Sequence, residues 1–207
     1  MAPTGDTDTD TRTAAVIAAA LALAAEQPWS GVGLAAIAAR AGLPLVDLYP
    51  DLQSKTAILR AFARRIDRLV LAGEDESLLR EPPRDRLFDV LMRRFEALAP
   101  WRAGLRSIVA AERRDPLEAL RRVPDFLASM RWMTAAAGLD GDGIAGFIHR
   151  RGAEAVFLAV LPVFLADESE DLARTMAALD RQLTRGDRIL RRLPMRLFRG
   201  GSVVDAP

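Results

Sequence analysis

Cysteine is missing from all 207 residues. That excludes thiol nucleophiles, thiolate-held metal or iron–sulfur centres and a disulfide framework, and it suits a chain working in a reducing cytoplasm. Histidine and tyrosine each occur once, as His149 and Tyr49. A single imidazole in a helical run, with no thiol to activate, reads as a structural residue. The acidic clusters Asp75-Glu76, Asp140 to Asp142 and Asp167 to Asp171 lie at loops and helix starts without calcium-loop spacing. No glycine-rich phosphate loop follows a strand pattern. The expectation is a protein that is not an enzyme and carries no cofactor or metal.

An excess of charge is also missing: 29 basic residues face 28 acidic ones, a net charge of +1. A broad electrostatic grip on nucleic acid is not expected from that balance, so any such contact has to be local. Long apolar runs are absent as well. The most apolar stretch, 153–166, contains Glu154 and Pro162 and falls short of the roughly 20 residues that a bilayer span needs. Residues 1–10 are polar, lack the apolar segment of a signal peptide and are expected to be a disordered lead. Alternating β-branched runs are lacking too, while Ala, Leu and Arg dominate and apolar residues recur at three and four, so the expected class is all-α.

Helices are expected at Thr11–Ala25, Leu34–Ala41, Pro44–Leu48 and Ser54–Ala72. In the first, Val16, Ile17, Ala20, Leu21 and Leu23 are the apolar positions. In the last, Ile58, Phe62, Ile66 and Leu69 form a stripe behind a Ser54 cap. The stretch Gly73–Pro83, acidic and proline-bearing, is the expected border between a domain at 11–72 and a larger one at 83–193. The latter reads as helices at Pro83–Leu98, Trp101–Arg113, Pro124–Ala137, Asp142–Ala166 and Ser169–Leu193.

The segment Gly33-Leu-Ala-Ala-Ile-Ala-Ala-Arg-Ala-Gly-Leu-Pro-Leu-Val-Asp-Leu-Tyr49, followed by Leu52 and Ser54-Lys55, resembles the helix-turn-helix of TetR-type regulators. The resemblance implies a TetR-like fold: a three-helix unit, then a larger helical bundle that binds ligand and forms a homodimer through its last two helices. It places Ile37 and Ala38 in the core, a close turn at Gly42 and the end of the recognition helix at Tyr49. For a DNA-binding repressor with an apolar effector, the contacts would come from Leu45, Val46, Tyr49 and Lys55. Lys55 is the only lysine beside 28 arginines; it is either a solvated residue at a helix start or the phosphate contact the resemblance implies. The rest of the recognition segment is poorly suited to DNA. Pro44, Leu45 and Val46 offer no donors, and Asp47 and Asp51 would repel phosphate. Residues 11–72 carry seven cations and four carboxylates, so the DNA binding to expect is salt-sensitive and indifferent to sequence.

A second resemblance covers about 84–185. Arg84 to Trp101-Arg, Ser129-Met-Arg-Trp132, Ala137-Gly138, Arg150-Arg151, Asp167-Glu-Ser-Glu-Asp171 and Thr175 to Arg181 are similar to the ubiquinone-biosynthesis lipid-binding proteins, which wear a TetR-type fold without acting as repressors. It implies an apolar pocket for an isoprenoid or acyl chain and a docking surface at Trp132 for a hydroxylase of that pathway. The residues permit two aromatic-rich faces, Phe88, Met92 and Phe95 on one helix and Phe147, Val156, Phe157, Val160 and Phe164 on another, which could line a tunnel or simply pack as a core. Trp132 is either half-buried core or a docking residue. Finally, 188–199 interleaves Arg188, Arg191, Arg192, Arg196 and Arg199 with Leu193, Leu197 and Phe198 and has no acid. That is the composition of an interfacial anchor on anionic lipid, or else of a frayed basic helix end. The reading is a cytoplasmic homodimer that binds an apolar small molecule, peripheral to the inner face of the membrane; DNA is a partner only in the repressor alternative.

Overall fold

The computed structural model describes residues 4–73 and 80–192. Among them are eight α-helices and no strand: α1 (Thr4–Glu26), α2 (Leu34–Ala41), α3 (Lys55–Ala72), α4 (Pro83–Leu98), α5 (Arg102–Arg114), α6 (Pro116–Ala136), α7 (Gly143–Leu165) and α8 (Ala173–Arg192). They form two compact units, one within 1–69 and 97–126, the other within 70–96 and 127–207. The units are thus not consecutive, unlike the expected 11–72 and 83–193. The reason lies in α5, which packs against α1.

In the first unit Val16, Ile17, Ala20 and Leu21 of α1 are all but fully buried, as their spacing predicts. Gly104 of α5 lies against the Leu21 carbonyl so closely that a methyl group there would overlap it. The Trp29 N–H donates to Ser107 Oγ at 3.0 Å, and that hydroxyl donates to the Gln27 carbonyl at 3.2 Å. Ser54 caps α3 through the Ala57 N–H, 3.0 Å away. Below the cap Ile58, Phe62, Ile66 and Val70 are buried. The expected Leu69 is 54% exposed instead, and Val70 is buried: successive steps of four carry the buried stripe round the helix by about 40° each, away from the straight line on which Leu69 lies.

Two further boundaries differ from expectation. Residues 4–10 are helical and not a disordered lead. α6 begins at Pro116 and runs through Pro124, where a helix start was expected. Proline is tolerated in a first turn, and the Asp115 carboxylate accepts the Glu118 N–H at 3.1 Å, so nucleation at 116 leaves Pro124 inside. Among the described residues no helix is long and apolar enough to cross a membrane.

In the second unit α7 packs on α8, and the two are joined through one buried carboxylate. Asp167 accepts the Ser169 N–H and Oγ at 3.2 and 2.5 Å and the Thr175 N–H and Oγ1 at 2.8 and 2.7 Å. Ser169 and Asp171 in turn accept the Ala173 N–H, each at 3.1 Å. The bonds to Ala173 and Thr175 satisfy two of the free N–H groups in the first turn of α8, so 169–172 serve as its cap. Burial pushes the Asp167 carboxyl up, but the Ser169 and Thr175 bonds outweigh that and hold it well below the usual carboxylate range.

Asp167→Asn leaves one oxygen for four donors and should lower the unfolding free energy by about 1–3 kcal/mol in urea titrations. Because the folded pKa is depressed, this stabilisation is complete above the unfolded value near ~3.9 and is lost as pH falls below it; the variant should show a flatter acid limb. Gly104→Ala should cost about 1–3 kcal/mol in the same titration, since backbone on both sides has to move.

Candidate functional site

Helix α2 buries Ile37 and Ala38 and ends at Gly42, whose φ of 70° is the left-handed conformation glycine allows. The Leu43 N–H reaches back to the Ala38 carbonyl at 3.0 Å, closing the helix end. The α-helix expected at 44–48 is not formed. Leu45–Leu48 make a single 3-10 turn instead. Pro44 precedes it and Pro50 comes after it, and Pro50 has no N–H with which to extend the hydrogen-bond ladder.

Only Leu48 of this turn is buried; Leu45, Val46 and Tyr49 are 52, 70 and 73% exposed. Asp51 is exposed beside them, and no cation occurs from 41 to 54. The turn therefore displays an apolar tip with carboxylates. Base edges and phosphates are read by donors on a helix in the major groove; this tip has no such helix, and among its exposed side chains Leu45, Val46 and Tyr49 only the Tyr49 hydroxyl can donate.

The nearby cations are engaged within the unit. Lys55 Nζ donates to the Trp29 carbonyl at 2.9 Å and lies 4.9 Å from the centroid of that ring. Arg40 pairs with both oxygens of Glu26, at 2.8 Å for Nη1; the bond lowers the Glu26 carboxyl and raises Arg40. Arg60 Nε is shared by the two Asp125 oxygens at 2.8 and 2.9 Å. A phosphate contact by Lys55 would first have to break a hydrogen bond and a cation–π contact.

The second unit divides the residues expected to line a tunnel. Phe95 stacks on Phe157 with centroids 5.0 Å apart and meets Phe164 at 5.1 Å. Met92 and Val160 are buried, while Phe88 and Val156 are partly exposed. Phe147 stands apart: it is half exposed, with the Arg151 guanidinium 5.5 Å from its ring centroid. A feature that spacing did not reveal is Arg94, almost fully buried, with its guanidinium 5.5 Å from the Phe157 centroid and Nη1 3.6 Å from Met133 Sδ. Trp132 is 58% exposed and not half-buried core. His149 is partly buried, and burial, with the Arg86 charge, lowers its pKa.

Ile144, Phe147 and Leu158 of α7 are each about half exposed. Their spacing of three and then eleven puts them on one stripe, which the helical period alone could have disclosed. Of the expected tail anchor, Arg188 lies at the exposed end of α8. Leu193, Leu197 and Phe198, with the Arg191 and Arg192 side chains, lie outside the described residues. No group of three or more metal-ligating side chains is found among the described residues.

The architecture has solved counterparts. A TetR transcriptional regulator from Nitrosomonas europaea ATCC 19718 superposes with a TM-score of 0.69 at 23% identity, over 84% of this chain and 97% of that one. A TetR transcriptional regulator from Rhodococcus sp. RHA1 gives 0.61 at 21% identity, over 90% and 100% of the two chains. The fold is of the TetR type. No protein-family model and no curated protein matches the chain. The likeness is thus one of architecture.

Lys55→Met should lower the thermal stability of the chain by about 1 kcal/mol, because the Trp29 carbonyl loses its donor. A solvated lysine would be silent in the same melt.

Proposed function

We propose that this TetR-type protein is a non-catalytic binder of an apolar small molecule, of the isoprenoid or acyl-lipid class, and that its helix-turn-helix segment serves as scaffold and does not read DNA sequence. The observation that carries this reading is the tip after Gly42: one 3-10 turn, apolar and acidic, with Lys55 held by Trp29. The ligand would be taken by the second unit, where apolar side chains of α4 and α7 meet. The motifs from Arg84 to Arg181 support a place in ubiquinone biosynthesis, with a quinone precursor as ligand. The exposed Trp132 would then face a hydroxylase of that pathway.

The Ile144, Phe147 and Leu158 stripe of α7, with exposed Met176 on α8, supports a homodimer formed by these two helices. In that arrangement Phe147 belongs to the dimer face and not to the ligand site. The basic segment 188–199 supports peripheral attachment to an anionic membrane.

The second reading is a transcriptional repressor with an apolar effector, and the solved neighbours favour it, since both are titled as regulators. It requires the tip and Lys55 to rearrange on DNA.

Mass analysis of a solvent extract of the purified chain tests the proposal. An isoprenoid or acyl lipid at a fixed ratio to protein is expected, retained through sizing because apolar surface gains from being covered. A folded protein that yields no such molecule and takes none up from a detergent-dispersed quinone would contradict it.

A further inference from the structure

The first half of α6, 116–126, is amphipathic in the reverse of the usual sense. Its charged residues turn toward the first unit. Glu118 accepts from Thr56 Oγ1 at 2.7 Å and from Arg121 Nη1 at 2.9 Å, Arg122 pairs with Glu112, and Asp125 holds Arg60. The bond from Thr56 keeps the Glu118 carboxyl below its usual range. Glu118, Arg122 and Asp125 succeed one another at steps of four and three and so share one face.

The opposite face carries Leu117, Leu120 and Val123, which are 66, 62 and 40% exposed, with Pro124 beside them. A surface helix ordinarily buries its apolar stripe and shows its charges to water. Here ion pairs and hydrogen bonds hold the helix in place, and the apolar ridge is left outward.

We infer that this ridge docks the first unit on an anionic lipid surface. Charge complementarity selects that occupant. Arg113 and Arg114 are exposed at the end of α5, directly before the ridge, and Arg121 flanks it at 67% side-chain exposure. The acids of 112–125 are paired, Glu112 with Arg122, Glu118 with Arg121 and Asp125 with Arg60, which leaves Arg113 and Arg114 facing only Asp115, whose carboxylate caps α6 through the Glu118 N–H. Arginine beside an outward row of leucine and valine on one helix is the arrangement that seats in the headgroup region, with the aliphatic side chains in the acyl boundary and the guanidinium groups on phosphate. A duplex would be served by the arginines but not by the leucines. The inference deepens the membrane-side part of the proposed function, yet it stands on α6 and not on the basic tail or on any retained ligand.

The test is sedimentation of the full chain with vesicles of phosphatidylcholine alone and of phosphatidylcholine mixed with phosphatidylglycerol. The parent should bind the mixed vesicles and only weakly the neutral ones. Leu117→Ser with Leu120→Ser should weaken binding about tenfold or more, with the melting curve unchanged because both side chains already face water. Arg113→Gln with Arg114→Gln should remove most of the preference for anionic vesicles. A chain ending after Leu190 should keep the part of the binding that the serine pair removes. The inference is overturned if the parent ignores vesicles, if the serine pair binds as the parent does, or if truncation alone abolishes binding. It is equally overturned if the serine pair instead changes the oligomeric mass, which would make the ridge a contact between copies. Lipid extraction from the same preparations reads the ligand proposal separately, so either can fail without the other.

Discussion

The approach of α5 to α1 at Gly104 is the contact on which the first unit depends. Without a side chain at 104 the α5 backbone lies on the Leu21 carbonyl. That brings Ser107 within reach of the Trp29 N–H, and the Trp29 carbonyl then receives Lys55. A packing detail in a helix far along the chain thereby decides what the first cation of α3 is doing. The ammonium that could have met a phosphate is instead fixing the chain between α1 and α2. Dispersion and burial place the helices, and the polar groups left over pair locally, so little directed positive charge remains around the tip.

The same logic governs the second unit, where a buried carboxylate joins α7 and α8. Asp167 gathers four donors, two from Ser169 in the connection and two from Thr175 in the first turn of α8. Fixing that corner orients α7, whose inner face carries Phe157 and Phe164 onto Phe95 and whose outer stripe leaves Ile144, Phe147 and Leu158 exposed. Core and candidate interface are two faces of one helix.

Much of this was legible in the sequence, because helical period, caps and glycine stops are local. The α1 core positions, the Ser54 cap and the Gly42 turn come directly from residue chemistry. What spacing could not disclose was long-range. Pairing of Lys55 with a carbonyl 26 residues earlier, or of Thr56 with Glu118, depends on tertiary neighbours. The start of α6 at Pro116 was obscured because Pro124 looks like a boundary when the Asp115 cap is not weighed against it. The tunnel faces were ambiguous for another reason: Phe147 and Phe157 lie ten residues apart on α7, a separation of nearly three turns that leaves them facing different ways. One is exposed and the other joins the core.

The central claim is that this TetR-type fold has kept its helix-turn-helix segment as scaffold. Selection from a random-sequence duplex pool at physiological salt tests it most directly. A scaffold predicts no enriched sequence and an affinity that falls steeply with salt, as expected when only diffuse phosphate contacts contribute. Enrichment of one palindrome, bound at nanomolar concentration and lost on substituting Tyr49 or Lys55, would contradict it and establish the chain as a sequence-reading regulator.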